Sequence, residues 1–159
     1  MRTDAVSRYC VSRASQEQMT AAGNILNAWI DETAWMPRVH SHQSVIDYYQ
    51  THVFRHCDVF VGVDSEHCVM GFLAIDTDDL ITALYLARAA RGRELGRQLL
   101  DHVKTERARD LSLWTFEANS GARAFYHREG FQEVRRTKGD NEEHLPDILY
   151  RWTAAGKPA

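Results

Sequence analysis

The chain has 159 residues and a formal net charge of -3, with 44% hydrophobic and 26% charged residues. Its length fits one domain, at roughly 100–200 residues per domain, and the composition is that of a globular protein. The mild acidity argues against a chain built to coat nucleic acid or an acidic membrane.

The three cysteines, Cys10, Cys57 and Cys68, form no disulfide framework and fit a reducing compartment. Two of them lie in apolar runs, where a small buried hydrophobe is expected. The first residues carry no signal-peptide core, and no apolar run approaches the ~18 residues of a membrane span. A cytoplasmic protein is the expectation. No repeat or low-complexity tract is present, so residues 1–159 read as one domain, with a core of about 6–153 and a loose tail at 154–159.

Val6 to Arg13 read as a first strand. Ser15, with Gln18 three residues on, reads as the capping box of a first helix. Its apolar positions, from Met19 to Ile30, follow a helical period, and Pro37 places its end near Asp31 or Thr33. Ser41 caps a second helix to about His52, with Val45, Ile46 and Tyr49 facing inward. Cys57 to Val63, Cys68 to Ile75 and Leu80 to Leu86 read as a meander of three strands joined by polar turns. Glu94 to Arg109 is a helix with Leu95, Leu99, Leu100 and Val103 on one stripe. Leu111 to Phe116 is a buried strand. Asn119 caps a last helix to Glu129, which Gly130 ends. Phe131 to Arg136 and Ile148 to Thr153 close the chain as strands. The strand–helix–strand order in the middle predicts a parallel crossover. The expected fold is therefore α/β: a mixed, mostly antiparallel sheet of about six or seven strands flanked by about four helices.

Two stretches carry chemistry. The first runs from Leu84 to Arg97, where a strand ends, a loop with Arg88, Arg91, Gly92 and Arg93 follows, and a helix opens. Free N–H groups at a helix start, with the helix dipole, make an anion site. Arginines add charge and forked hydrogen bonds. The glycines fit neither a dinucleotide fingerprint nor a P-loop. RNA contact is the other use of such a loop, but the acidic balance and the lack of a stacking face oppose it. The second stretch, Asn119 to Phe131, follows a strand and spans one helix.

Together these stretches resemble the GCN5-related N-acetyltransferase (GNAT) superfamily. Its coenzyme loop reads Arg/Gln-x-x-Gly-x-Gly/Ala, matched at its ends by Arg91 and Gly96, with Gly92 where many members also carry glycine. Its later segment reads Asn-x-x-Ala-x-x-Phe-Tyr-x-x-x-Gly-Phe, matched by Asn119, Ala122, Phe125, Tyr126, Gly130 and Phe131. The chain departs from the pattern at Glu94, where the family usually has glycine, and at Arg88, where it often has proline. A carboxylate at 94 is expected to face solvent or pair with an arginine.

The resemblance implies transfer of an acetyl group from acetyl-CoA to a primary amine of a small molecule or peptide, with no metal. The alternative is a coenzyme-binding module with little or no turnover. The strand backbone at Leu84 and Leu86 would pair with the pantetheine arm. Arg91, Gly92, Arg93, Leu95, Gly96 and Arg97 would hold the diphosphate. Asn119 and Ala122 would contact the coenzyme, and Tyr126 would stand by the thioester sulfur as the catalytic residue. Glu32, Trp35, Met36, Asp79 and Glu142 are the candidates for the acceptor side. The family's usual base position falls near Leu80, which cannot serve; Asp76, Asp78, Asp79, Thr82 and Glu117 lie close by, and the aspartates read equally as turn formers. The histidine pairs His40/His42 and His52/His56 lack the ligands that would complete a metal site. No nucleic-acid or membrane partner is expected; a homodimer is, by family habit.

Overall fold

β-branched and aromatic residues suit a pleated, half-buried surface, and the runs rich in them form the strands. The computed structural model describes residues 8–92 and 94–154. Its elements are β1 (Cys10–Arg13), α1 (Gln18–Glu32), α2 (His42–Tyr48), a π-helical turn (Tyr49–Val53), α3 (Phe54–His56), β2 (Asp58–Val63), β3 (Val69–Ile75), β4 (Leu80–Leu86), a short 3-10 turn (Arg88–Ala90), α4 (Leu95–Arg107), β5 (Leu111–Phe116), α5 (Ser120–Arg128), β6 (Gln132–Thr137) and β7 (Asp147–Trp152). The seven strands form one sheet in the order β1-β2-β3-β4-β5-β7-β6. Each neighbouring pair is antiparallel except β4 and β5, the crossover pair, which is parallel.

Helices cover both faces. On one, Met19, Ala22 and Ile25 of α1 join Val45, Tyr49 and Val53 against Val59, Val61, Phe72, Ala74 and Ala83. On the other, Leu95, Leu99, Leu100 and Val103 of α4 and Tyr126 of α5 pack against Phe60, Leu73, Ile75, Ile81, Leu111 and Leu113. The alternation along each strand sends successive residues to opposite layers.

Several boundaries differ from the sequence reading. The first helix begins at Gln18, because Gln16 and Glu17 are taken up in a turn. Half of the expected capping box survives: the Ser15 N–H donates to Gln18 Oε1 at 2.9 Å. The second helix is capped by Ser41, whose Oγ accepts the Ser44 N–H at 3.1 Å. It runs on as the π turn and α3 to His56, since no glycine or proline interrupts Gln50 to His56 and both Tyr49 and Val53 are drawn into the core. Cys10 and Cys68 are exposed and Cys57 is half-buried, so the expectation of buried cysteines fails; Cys10 lies on an edge strand and Cys68 at a turn. The start of the first strand, at Val6 and Ser7, and residues 155–159 of the tail lie outside the described residues.

α4 is fixed at both ends. At its start the Leu95 side chain, fully buried, drops into a hollow over Gly62 and Gly71, which face each other across β2 and β3. A Cβ on Gly62 would collide with the Leu95 methyls, and one on Gly71 would stand 2.9 Å from Leu95 Cδ2 and 2.6 Å from Leu86 Cδ2. At its far end Arg107, with its side chain 11% exposed, bridges Asp58 at 2.8 Å and Asp79 at 2.7 Å. Burial opposes ionisation of Asp58, but hydrogen bonds from Arg13 and Arg107 outweigh it and hold the carboxyl below its usual range.

Between these anchors, the residue that opens α4 adopts an unusual backbone. Glu94 has φ 68° and ψ -4°, the left-handed region, which costs a residue with a Cβ roughly 1–2 kcal/mol. This is the position where the resemblance calls for glycine.

Three outcomes follow from the α4 start. Leu95→Ala is expected to destabilise the fold by ~2–5 kcal/mol, and Gly71→Ala by ~1–3 kcal/mol through overpacking, both read as lower urea midpoints. Glu94→Gly is expected to raise stability by up to ~1 kcal/mol, the relief of strain being partly offset by a freer unfolded chain; a lower midpoint would show that the carboxylate holds the loop.

Candidate active site

The site exists because β4 and β5 pair only at their beginnings. Leu80 lies opposite Ser112 and Ile81 opposite Leu113, and the register stops there. On its other edge β4 skips a residue against β3: Ala83 faces Ala74 and Ile81 faces Ile75, leaving Thr82 as an extra residue. Such a bulge bends a strand and increases its twist. Past Thr82, therefore, β4 turns away from β5. A cleft of about 620 Å³ opens between them, walled by Thr82 to Leu86 on one side and Leu113 to Phe116 on the other.

The loop before α4 closes one end of this cleft through Arg91, Gly92, Glu94, Gly96 and Arg97. Gly92 has φ 72°, which brings the turn round toward the helix. Glu94 makes no side-chain cap, so its carboxylate does not fill the helix start, where N–H groups point outward. Its side chain is exposed, borders the cleft and has no ion-pair partner among the described residues. Gly96 brings α5 close, since a Cβ there would stand 3.1 Å from Phe125 Cζ.

α5 forms the floor. Asn119 Oδ1 accepts the Ala122 N–H at 3.1 Å and caps the helix, so its oxygen and the Ala122 amide are committed to each other while both residues line the cleft. Tyr126 is 7% exposed, ringed by Phe125, Phe131 and Tyr150, and it too lines the cleft. Burial, and secondarily Tyr85, push its pKa far above the ordinary phenol value. Burial, then Glu143, push Tyr85 to about 12. Both phenols are O–H donors at neutral pH.

The structure brings together nine of the sequence candidates on this lining: Leu84, Leu86, Arg91, Gly92, Gly96, Arg97, Asn119, Ala122 and Tyr126. Leu95 instead sends its side chain into the core and positions the helix start. Arg93 lies outside the described residues. Among the acceptor candidates, Glu32 is ion-paired with Arg91, and Trp35 packs edge-on against Phe116 at 5.8 Å and Trp29 at 5.7 Å. Met36 is half-buried in the turn after α1 and does not line the cleft. Asp79 is engaged by Arg107 and by Arg109, the latter at 3.1 Å, and stands at the other end of β4 from the loop before α4. Its neighbour Asp76 accepts the N–H groups of Asp78 and Leu80, the turn-forming role. Glu117 faces Arg136 at 3.5 Å.

Glu142 Oε2 meets His40 Nε2 at 2.9 Å, which joins the segment after α1 to the loop between β6 and β7. That loop forms a second hollow of about 480 Å³ with Asp140, Glu143 and Asp147, sharing Trp114, Thr115 and Phe116 with the first. Sequence reasoning missed Trp29, Tyr85, Phe116, Arg128 and Glu129, all on the main lining. The aromatics were legible as core residues, but nothing local shows which core residues border a gap between strands.

Residues 55–133 match the family model described as Acetyltransferase (GNAT) domain. No curated protein matches the sequence. Among solved structures, the apo form of YjaB from Escherichia coli superposes with a TM-score of 0.74 at 20% identity, covering 92% of this chain and 99% of that one. The yncA protein of Salmonella typhimurium, solved with its cofactor acetyl-CoA, gives 0.74 at 17% identity, covering 96% and 98%. The phosphinothricin acetyltransferase Pat of Sinorhizobium meliloti, in complex with AcCoA, gives 0.73 at 16% identity, covering 96% and 94%. At these identities the likeness shows the fold, and the family model supplies the kinship. The chain belongs to the GCN5-related N-acetyltransferase (GNAT) superfamily.

Proposed function

We propose that the chain is an N-acetyltransferase that takes its acetyl group from acetyl-CoA and delivers it to a primary amine of a small molecule or peptide. The observation that carries this reading is the cleft between the parted strands, with the uncapped start of α4 at one end and the Tyr126 phenol within it. A diphosphate suits a helix start flanked by arginines, and the β5-facing edge of β4 from Thr82 onward has no strand partner, which suits an extended amide-bearing arm.

Acetyl-CoA supplies an acyl thioester, whose sulfur is a fair leaving group because thiols have pKa values near ~8.5. The chain's own residues orient and exclude water. The free β4 edge offers N–H groups that can polarise a carbonyl oxygen. Tyr126, held protonated by burial, donates a hydrogen bond to the departing sulfur, and the proton that finally rests on sulfur is the one the amine loses. An amine of pKa ~10.4 costs about 4–5 kcal/mol to deprotonate at neutral pH. The carboxylates on the main lining are Glu94 and Glu129, both on the coenzyme side, so the ammonium's extra proton leaves by way of water before attack, and the second proton, lost as the amide forms, ends on sulfur. The acidic second hollow favours a cationic acceptor. A homodimer and a cytoplasmic location belong to the same reading, the first checked by light scattering.

The test has two stages. Acetyl-CoA is expected to raise the melting temperature, as a ligand of the native state must, by an amount equivalent to ~2.7 kcal/mol at a hundredfold excess over its dissociation constant. Free thiol is then followed with a panel of primary amines. Tyr126→Phe is expected to lower kcat about 10²-fold or more with coenzyme affinity unchanged. A melting shift without thiol release for any amine would favour the non-catalytic module; no shift would remove the coenzyme reading.

A further inference from the structure

Arg91 holds two groups at once. One of its terminal nitrogens is ion-paired with Glu32 at the end of α1, and its Nε donates to the Leu86 carbonyl at 3.3 Å. The two charged side chains are 37% and 27% exposed, so solvent ions screen them less than a fully solvated pair. The contact ties the end of α1 to the rim of the cleft. Arg91 belongs to the loop that precedes α4. Glu32 lies on the helix face that carries Trp29 three residues earlier, and Trp29 stands 5.7 Å from Trp35 and 5.1 Å from Tyr85.

We propose that Glu32 is a masked anchor for the acceptor's ammonium group, and that Arg91 is the mask. The inference rests on the function proposed above and deepens it. A guanidinium next to a diphosphate can make forked bonds to a partner of higher charge than one carboxylate, with the helix start adding to the attraction. Drawing Arg91 to that partner frees the Leu86 carbonyl on the open β4 edge. It also leaves Glu32, 27% exposed with Arg91 in place, without its cation one helical turn from Trp29. An unpaired carboxylate there attracts another cation. A primary ammonium answers both needs, pairing with the carboxylate and lying against ring faces. While Arg91 holds Glu32, the same ammonium meets a neutralised carboxylate and a like charge. Coenzyme and acceptor are thus coupled through one shared side chain, and such couplings typically reach about 5–150-fold. Arg97 shows no parallel, since its partner Glu129, at 3.4 Å, caps the end of α5 rather than belonging to α1.

The experiment measures 2-phenylethylammonium as probe, by calorimetry and by tryptophan fluorescence, without and with saturating CoA, which binds but cannot acylate. CoA binding to the wild type is measured first; its absence would overturn the function reading rather than this inference. CoA's own negative charge attracts a cation in every variant, so the differences decide. In the wild type, CoA is expected to tighten the probe at least fivefold. In Glu32→Gln that gain is expected to shrink below twofold, with CoA itself binding about threefold tighter because Arg91 has lost its competitor. In Arg91→Gln, CoA weakens, yet the probe without CoA binds at least fivefold tighter than to the wild type. This gain cannot come from misfolding. Probe affinity indifferent to CoA in the wild type, full coupling retained in Glu32→Gln, or no gain in Arg91→Gln would each overturn the proposal.

Discussion

The seating of Leu95 over Gly62 and Gly71 is the contact on which the site depends. Two glycines paired across β2 and β3 remove the side chains that would lift α4 off the sheet. The helix start is then held by a buried aliphatic plug, and the far end by Arg107 between Asp58 and Asp79. A helix start that shifted by an ångström would aim its N–H groups elsewhere, and placement of that kind governs catalysis as strongly as chemistry does. The left-handed backbone of Glu94 is strain accepted at the same point, and strain of this sort collects where geometry is over-determined by its surroundings.

The cleft arises from a second constraint, the extra residue at Thr82. A bulge bends its strand and increases its twist, and pairing with β5 ends after Ile81. The sheet still closes, because β5 pairs along its whole length with β7. One defect in one strand therefore produces an open edge in the middle of a sheet, bordered by aromatic residues from α1, β4 and β5. The same edge explains why Tyr126 can be nearly buried and still face the cleft.

Charge in the site is arranged in pairs. Arg91 with Glu32 and Arg97 with Glu129 keep two of the arginines that line the cleft close to neutral surroundings. Arginines so held are oriented in advance, and an anion entering the loop must compete with carboxylates rather than with water. Specificity follows, because a weak or singly charged anion loses that competition.

Much of this was legible in the residues. The crossover, the meander, the strands Leu80–Leu86 and Leu111–Phe116 and the Asn119 cap all come from local pattern: alternation, helical period and capping chemistry; the roles proposed for Arg91, Gly96, Asn119 and Tyr126 come from the family resemblance. Such signals are short-range, and a single chain carries them. What tertiary structure alone decided concerns residues far apart in sequence. Leu95 reads as a loop-adjacent coenzyme residue until Gly62 and Gly71 are seen beneath it. Asp79 reads as a candidate for the acceptor side until Arg107 closes on it. Glu32 and Arg91 are ordinary charged residues until α1 and the loop are brought together. The physical reason is the same in each case: the role of a side chain is set by the partner that packs against it, and a partner more than twenty residues away leaves no periodic trace in the sequence.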